Sequence, residues 1–218
     1  MTSKQAPRLV AITDLSLLDP PTLLSRLRHL AEAAQPGSVA LLLRDHGASG
    51  RERLALGREL ASIARGTGQA LWVADRLDLA LLLEADGLHL GEASVSTSTA
   101  RRLWGAERWL SRAWHGRPDE PRDAAALDGV NALLVSPLLA ERKGRPPLGL
   151  AALARFREQL AAHTSAIALY ALGGVTSENA AACLTAGATG IAAIGAALAP
   201  EPGALLVALG IEGGNATG

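Results

Sequence analysis

Eight short apolar runs, at residues 9–13, 39–43, 70–74, 87–90, 109–114, 132–135, 166–172 and 190–194, recur along the chain at fairly even spacing. Runs this short and this continuously apolar read as parallel strands covered on both faces. Between them the apolar residues fall at helical spacing instead. Pro20 and Pro21 open one such stretch, with Leu23, Leu24, Leu27 and Leu30 on one face. Residues 51–65 carry Leu54, Leu56, Leu60 and Ile63 and close on Gly66 and Gly68. Further helices are predicted over 77–84, 96–104, 120–127, 150–162, 176–187 and 203–209.

Strand and helix therefore alternate eight times. A doubly wound sheet would also alternate but would show fewer pairs, so the pattern predicts a single-domain (β/α)₈ TIM barrel. No linker or shift of composition divides the chain. The barrel is expected over residues 9–211, with a loosely packed N-terminus at 1–8 and a flexible tail at 212–218.

Composition narrows the function. The 218 residues are 49% hydrophobic, enough for one sizeable core. Basic and acidic residues balance at 21 each, and no basic stripe appears, which argues against nucleic-acid binding. Four Trp, one Tyr and one Phe are also too few for a base-stacking platform. Cys183 is the single cysteine, so no disulfide or cysteine metal cluster is expected, and its place in a helical pattern suits a small buried residue. The N-terminal residues lack an apolar leader, and no apolar run approaches the roughly 20 residues of a membrane span. The expectation is a cytoplasmic protein with no membrane partner. Asn215-Ala216-Thr217 matches a glycosylation sequon and reads as chance in a glycine-rich tail.

Chemistry in a (β/α)₈ barrel gathers at the C-terminal ends of the strands. Those positions hold Asp14, Arg44, His46, Asp75, Gly91, His115, Ser136, the pair Gly173-Gly174, and Gly195. An arginine, histidines, carboxylates and glycine turns suit a small anionic substrate. The glycines follow the seventh and eighth runs, where barrels of this type bind phosphate on bare backbone N–H groups. Arg44 is either a bidentate clamp for an anion or a solvated rim charge. Asp75 precedes a helical stretch and is a metal or substrate contact, an N-cap, or both. His115 shares strand parity with Ser111 and Ala113. If that face points inward, it can serve as an acid/base group. Lys143 stands in a polar loop, residues 140–147, of the kind that closes over a ligand; it is a point charge for phosphate or a surface lysine. His89 reads as a packing histidine, and His46 as undecided between site and loop.

The motifs VADRLDLA (73–80), ADGLHLG (85–91), SPLLAERKGRPPLGL (136–150) and ALGGVTSENAAACLTAGATGIAAIGA (171–196), with runs ending at Arg44 and His115, occur in an order and spacing that resembles the thiamine-phosphate synthase and TenI superfamily over residues 9–198. The resemblance implies a barrel that binds a small phosphorylated thiazole ligand, with the phosphate at Gly173, Gly174, Ile194 and Gly195. Arg44, Asp75 and Lys143 would contact substrate. Members of this family are often dimers, so a homodimer is expected.

Two branches follow. Synthases join a pyrimidine diphosphate to the thiazole phosphate, release pyrophosphate and use Mg²⁺, with Asp75 the matching metal ligand. Their pattern Gln-x-Arg-x-Lys reads here as Leu42, Arg44 and His46. Ala74 replaces an asparagine, Ser94 a second carboxylate, Ala113 a serine, and the threonine-rich loop is shortened to Ala140-Glu141-Arg142. Gly195 stands where synthases tend to carry serine. These departures lead to the other branch: a TenI-like thiazole tautomerase, an isomerase that needs no cofactor and aromatises a carboxythiazole phosphate with His115 as acid/base. A divergent Mg²⁺-dependent synthase is the alternative, and a barrel that binds a phosphorylated ligand without turnover is the third reading.

Overall fold

The computed structural model describes residues 5–116, 127, 129–142, 144–161 and 167–214. Eight parallel strands close into a barrel in sequence order. They are β1 (Leu9–Ile12), β2 (Val39–Leu43), β3 (Ala70–Ala74), β4 (Gly87–Leu90), β5 (Trp109–Trp114), β6 (Ala132–Val135), β7 (Ala168–Leu172) and β8 (Gly190–Ala193). β8 pairs back onto β1, with Ala192 opposite Val10. The outer helices are α1 (Pro20–Ala33), α2 (Gly50–Thr67), α3 (Leu77–Leu82), α4 (Thr97–Trp104), α5 (Leu150–Ala161), α6 (Ala180–Thr185) and α7 (Gly203–Leu209).

Local chemistry sets these bounds. Asp19 Oδ1 accepts from the Thr22 N–H at 3.1 Å, and Pro20 and Pro21 occupy the first turn of α1, where no N–H is needed. Ser49 and Glu52 form a reciprocal capping box at the start of α2, with bonds of 3.2 and 2.7 Å. That helix ends on Gly68 at φ +67°. The predicted helix over 176–187 is shorter: only α6 is helical. The Asn179 side chain accepts from the Thr176 N–H (2.9 Å) and donates to the Gly174 carbonyl (3.0 Å), so the residues before α6 form turns rather than a first helical turn. The helix predicted over 120–127 lies outside the described residues except for Leu127. At the other end of the chain, Gly213 N–H donates to the Ala33 carbonyl (2.8 Å) and Gln35 Nε2 to the Glu212 carbonyl (3.2 Å).

Two apolar clusters hold the fold. The larger lies between strands and helices, with Leu9, Leu41, Leu60, Leu133, Phe156 and Ile191 among its members. The smaller fills the barrel itself and includes Val10, Leu42, Trp72, Leu134 and Tyr170. Trp72 fits because β4 offers Gly87 opposite it; a Cβ there would lie 2.5 Å from Trp72 Cδ1. Trp109 stacks on Trp72 at 5.8 Å and Tyr170 meets it edge-on at 6.1 Å. The Tyr170 hydroxyl donates to the Pro7 carbonyl at 2.6 Å. Aromatic rings thus plug the interior below the C-terminal mouth. No helix among the described residues is long and apolar enough to cross a membrane.

Candidate active site

A cleft opens at the C-terminal mouth of the barrel. Its floor takes one residue from the end of each strand or just beyond: Ile12, Leu42, Ala74, His89, Ala113, Leu134, Leu172 and Ile194. Seven are apolar, so the floor suits a flat, weakly polar ring. His89 is the exception. Its Nδ1 lies 2.9 Å from the buried Ser111 hydroxyl. Burial, with smaller contributions from Arg44, His46 and His115, outweighs the Asp75 carboxylate and pushes its pKa down to about 4, so it is neutral at pH 7. The packing role read for His89 from sequence is therefore half of its position; it also lines the cleft.

Charged side chains form the rim. Arg44 leaves β2 on a braced backbone. The buried Asp45 accepts from the Thr13 hydroxyl and from the Leu15 N–H (2.6 Å), and Thr13 Oγ1 in turn accepts from the Arg44 N–H at 3.0 Å. Asp75 sits at φ +62°, a left-handed conformation rare outside glycine. Its N–H donates to the His89 carbonyl (2.8 Å). Its Oδ1 accepts from the Gly91 N–H (2.8 Å) and from the Ser94 hydroxyl, and its Oδ2 lies 3.8 Å from His46 Nε2. A Cβ at Gly91 would approach Oδ1 to 3.1 Å, so glycine there lets the carboxylate pack close. Burial alone would raise the Asp75 pKa; the Ser94 and Gly91 bonds and the nearby histidines outweigh it and hold the group below its ordinary value.

His115 lies at the end of β5, inward as parity predicts. Its Nδ1 is 2.7 Å from the Ser136 carbonyl, which can only accept, so Nδ1 carries the proton. Nε2 faces Glu92 Oε2 at 3.7 Å, and the same oxygen accepts from Arg145 Nη2 at 2.8 Å. Arg145 and Arg142 exchange backbone hydrogen bonds of 3.1 and 3.0 Å, which folds the loop after β6 into a hairpin over the cleft.

Of the residues expected from sequence, Arg44, Asp75, His115 and Ile194 come together in this cleft. Lys143 lies outside the described residues, between Arg142 and Arg145. Gly173, Gly174 and Gly195 are not among the lining residues. The first two, at φ +100° and +74°, pack behind the cleft; a Cβ on Gly174 would lie 2.7 Å from the Ala140 side chain, whereas Gly195 faces open space. Sequence reasoning missed Glu92, Arg142 and Arg145. The two arginines flank Lys143 in the loop already singled out, and their charge was the available signal. Glu92 had none, because its partner is 53 positions away.

The resemblance implies Mg²⁺ for the synthase branch. Among the described residues no three histidine, cysteine or acidic side chains converge as a metal cage. Asp75 directs only Oδ2 away from its braces. Mg²⁺ is commonly held by one or two carboxylates together with substrate phosphates. Asp75 therefore fits an ion shared with a diphosphate and does not fit a site made of protein alone.

A profile of the family described as Thiamine monophosphate synthase matches residues 9–197. A thiamine-phosphate synthase of Moorella thermoacetica is 36% identical over 165 residues, covering 74% of this chain and 75% of its own. One of Natronomonas pharaonis is 35% identical over 192 residues, 84% of this chain and 87% of its own. Among solved structures, a thiamine phosphate pyrophosphorylase from Pyrococcus furiosus superposes with a TM-score of 0.72 over 93% of this chain and 92% of that one; at 24% identity it attests the fold. The relatives' names overturn the expected TenI-like tautomerase and its isomerase activity. The departures at Leu42, His46, Ala74, Ser94 and Ala113 suggested a dismantled diphosphate site. In the structure Asp75 is kept and braced by Ser94, and Arg142 and Arg145 supply charge on the same rim. Both the span of the profile and the identity of these relatives make the chain a member of the thiamine monophosphate synthase family.

Proposed function

We propose that this protein is a thiamine-phosphate synthase, a transferase that joins the pyrimidine of a pyrimidine diphosphate to a thiazole phosphate and releases pyrophosphate. One observation carries the reading: Asp75 is held in a costly left-handed conformation, its carboxylate braced from two sides, inside a cleft whose rim is otherwise rich in arginine and histidine. That arrangement suits a leaving group of high negative charge better than a proton shuttle on ring carbon.

The floor from Ile12 round to Ile194 packs against the heterocycles and excludes water. Arg44 meets the diphosphate with a planar fork of donors. Asp75 would hold Mg²⁺, which when bound offsets charge building on the leaving diphosphate. His115, fixed by the Ser136 carbonyl, orients Glu92 and through it Arg145. The thiazole phosphate is assigned to the turns at Gly173, Gly174, Ile194 and Gly195; Ile194 lines the cleft and Gly195 leaves open space beside it. Lys143 keeps the role of a phosphate contact expected from its loop.

The test is direct. Purified full-length protein, given both substrates and Mg²⁺, is expected to release pyrophosphate and form thiamine phosphate in equal amounts. Folded protein that forms no thiamine phosphate under these conditions overturns the reading.

A further inference from the structure

His89 is the one floor residue of the cleft that brings hydrogen-bonding atoms into an otherwise apolar surface. Its Nδ1 meets the Ser111 hydroxyl at 2.9 Å. That hydroxyl has one proton to give. The Leu88 carbonyl is 3.5 Å away, at the outer limit for a hydrogen bond, so the proton goes to His89. Nδ1 is therefore an acceptor, and the proton of the neutral ring sits on Nε2. Nε2 has no hydrogen bond or ion pair to a described residue. Nor is it sealed off: the buried side-chain atoms without a partner among the described residues are the indole nitrogens of Trp72 and Trp114. His89 is only 8% exposed, and what it exposes lines the cleft. An unpaired N–H therefore stands in the apolar floor.

Such a donor needs an acceptor once a ligand covers it and expels water. An aromatic ring with a nitrogen lone pair in its plane supplies one. Position selects between the two heterocycles of the reaction. In the closed barrel β4 lies opposite β8. The turns assigned to the thiazole phosphate follow β7 and β8, across the mouth. On its own side His89 pairs with Ala74 of β3, and its carbonyl accepts from the Asp75 N–H at 2.8 Å. The ring attached to the diphosphate is the pyrimidine.

We infer that His89 is a specificity-determining residue whose Nε2–H donates to one ring nitrogen of the pyrimidine. That the ring is a pyrimidine rests on the synthase reading.

Calorimetric titration of the full chain tests it, in Mg²⁺ and without thiazole phosphate, so that no transfer can occur. The probes are the pyrimidine diphosphate and its two analogues in which one or the other ring nitrogen is replaced by C–H. Wild type is expected to bind one analogue about 10- to 100-fold more weakly than the parent, because the floor donor is then left unpaired. His89→Leu removes the donor. It should bind the parent about as weakly as wild type binds that analogue, and should not distinguish the two. His89→Gln, whose amide N–H can reach the place of Nε2, should keep most of the discrimination. Wild type that does not distinguish the three ligands, or folded His89→Leu that still does, overturns the contact. The wild-type series needs no variant, so it decides even where His89→Leu fails to fold. The outcomes also separate the contact from the functional reading. If the discrimination depends on His89 but no thiamine phosphate forms from both substrates, the contact stands and the synthase reading falls. If thiamine phosphate forms while wild type binds both analogues as it binds the parent, the reverse holds.

Discussion

The two ends of the barrel are built from the same eight strands and solve opposite problems. Toward the N-terminal end, Trp72, Trp109 and Tyr170 close the interior with stacked and edge-on rings, Gly87 makes room for the largest of them, and the Tyr170 hydroxyl has a backbone acceptor. The Trp72 Nε1, buried in this plug, has no hydrogen-bond partner among the described residues. At the C-terminal end the apolar floor carries one neutral histidine, and the rim above it holds an aspartate in a left-handed conformation and the arginines Arg44, Arg142 and Arg145. The charged groups are gathered at one end, and the aromatic packing at the other. The contrast teaches that stability and reactivity in this chain are separable along the barrel axis.

The largest way to break that separation is Trp72→Ala. Trp72 is fully buried, and removal of such a ring costs about 3–5 kcal/mol. For a chain of this size each kcal/mol lowers Tm by about 2–4 °C. Thermal unfolding should show the full loss, while turnover per folded molecule stays near wild type. A variant that keeps its Tm but loses turnover would show that the plug shapes the site directly.

Asp75→Asn makes the opposite cut. Asparagine tolerates the left-handed conformation and can still accept from Gly91 and Ser94, so the backbone should hold. Loss of the charge should reduce turnover by about 10²–10³-fold, the scale seen when one electrostatic stabiliser is removed. Tm should barely move. An Asp75→Asn enzyme with wild-type turnover would remove the charge from the mechanism, and a collapsed Tm would make Asp75 structural.

Much of the plug and rather less of the rim were legible in the sequence. Val39–Leu43, Gly87–Leu90 and Ala132–Val135 are buried on both faces, so their apolar runs announce both strand and bounds. The Ala-rich stretch before Gly187 carries no comparable signal. Its turns depend on one side chain, Asn179, and the helix therefore starts later than the composition suggests. Strand-end position was enough to find Arg44, Asp75 and His115. It could not show that Ser94 braces Asp75 or that Glu92 fastens Arg145, because those contacts join loops that follow different strands and meet only in the folded barrel. The tautomerase expectation failed for the same reason: lost residues are visible one at a time in sequence, whereas Arg142 and Arg145 become part of the rim only in three dimensions.

His89 tests the boundary between the two ends, since it is buried like the plug and lines the cleft like the rim. The groups that set its charge are Asp75, Arg44, His46 and His115, with burial the dominant cause. Its ordinary value is 6.5, and in the fold it is pushed down to about 4. Between those values the unfolded chain carries the proton and the folded one does not, so lowering the pH favours unfolding. Stability contributed by the neutral ring is complete above pH 6.5, declines as the pH falls toward 4, and is lost below that. The whole effect is at most about 3 kcal/mol, from the size of the shift. Other carboxylates also titrate in this range, so the useful quantity is the difference between wild type and His89→Gln. The variant should unfold at a similar temperature at pH 7 or somewhat lower, and lose less stability than wild type between pH 6.5 and 4.5 in calorimetric scans. Parallel pH dependence in the two proteins would mean that His89 takes up its proton in the folded state as readily as in the unfolded one. In that case the cleft is wetter than its apolar floor implies, and the division between a dry plug and a charged rim lies deeper in the barrel than Ser111.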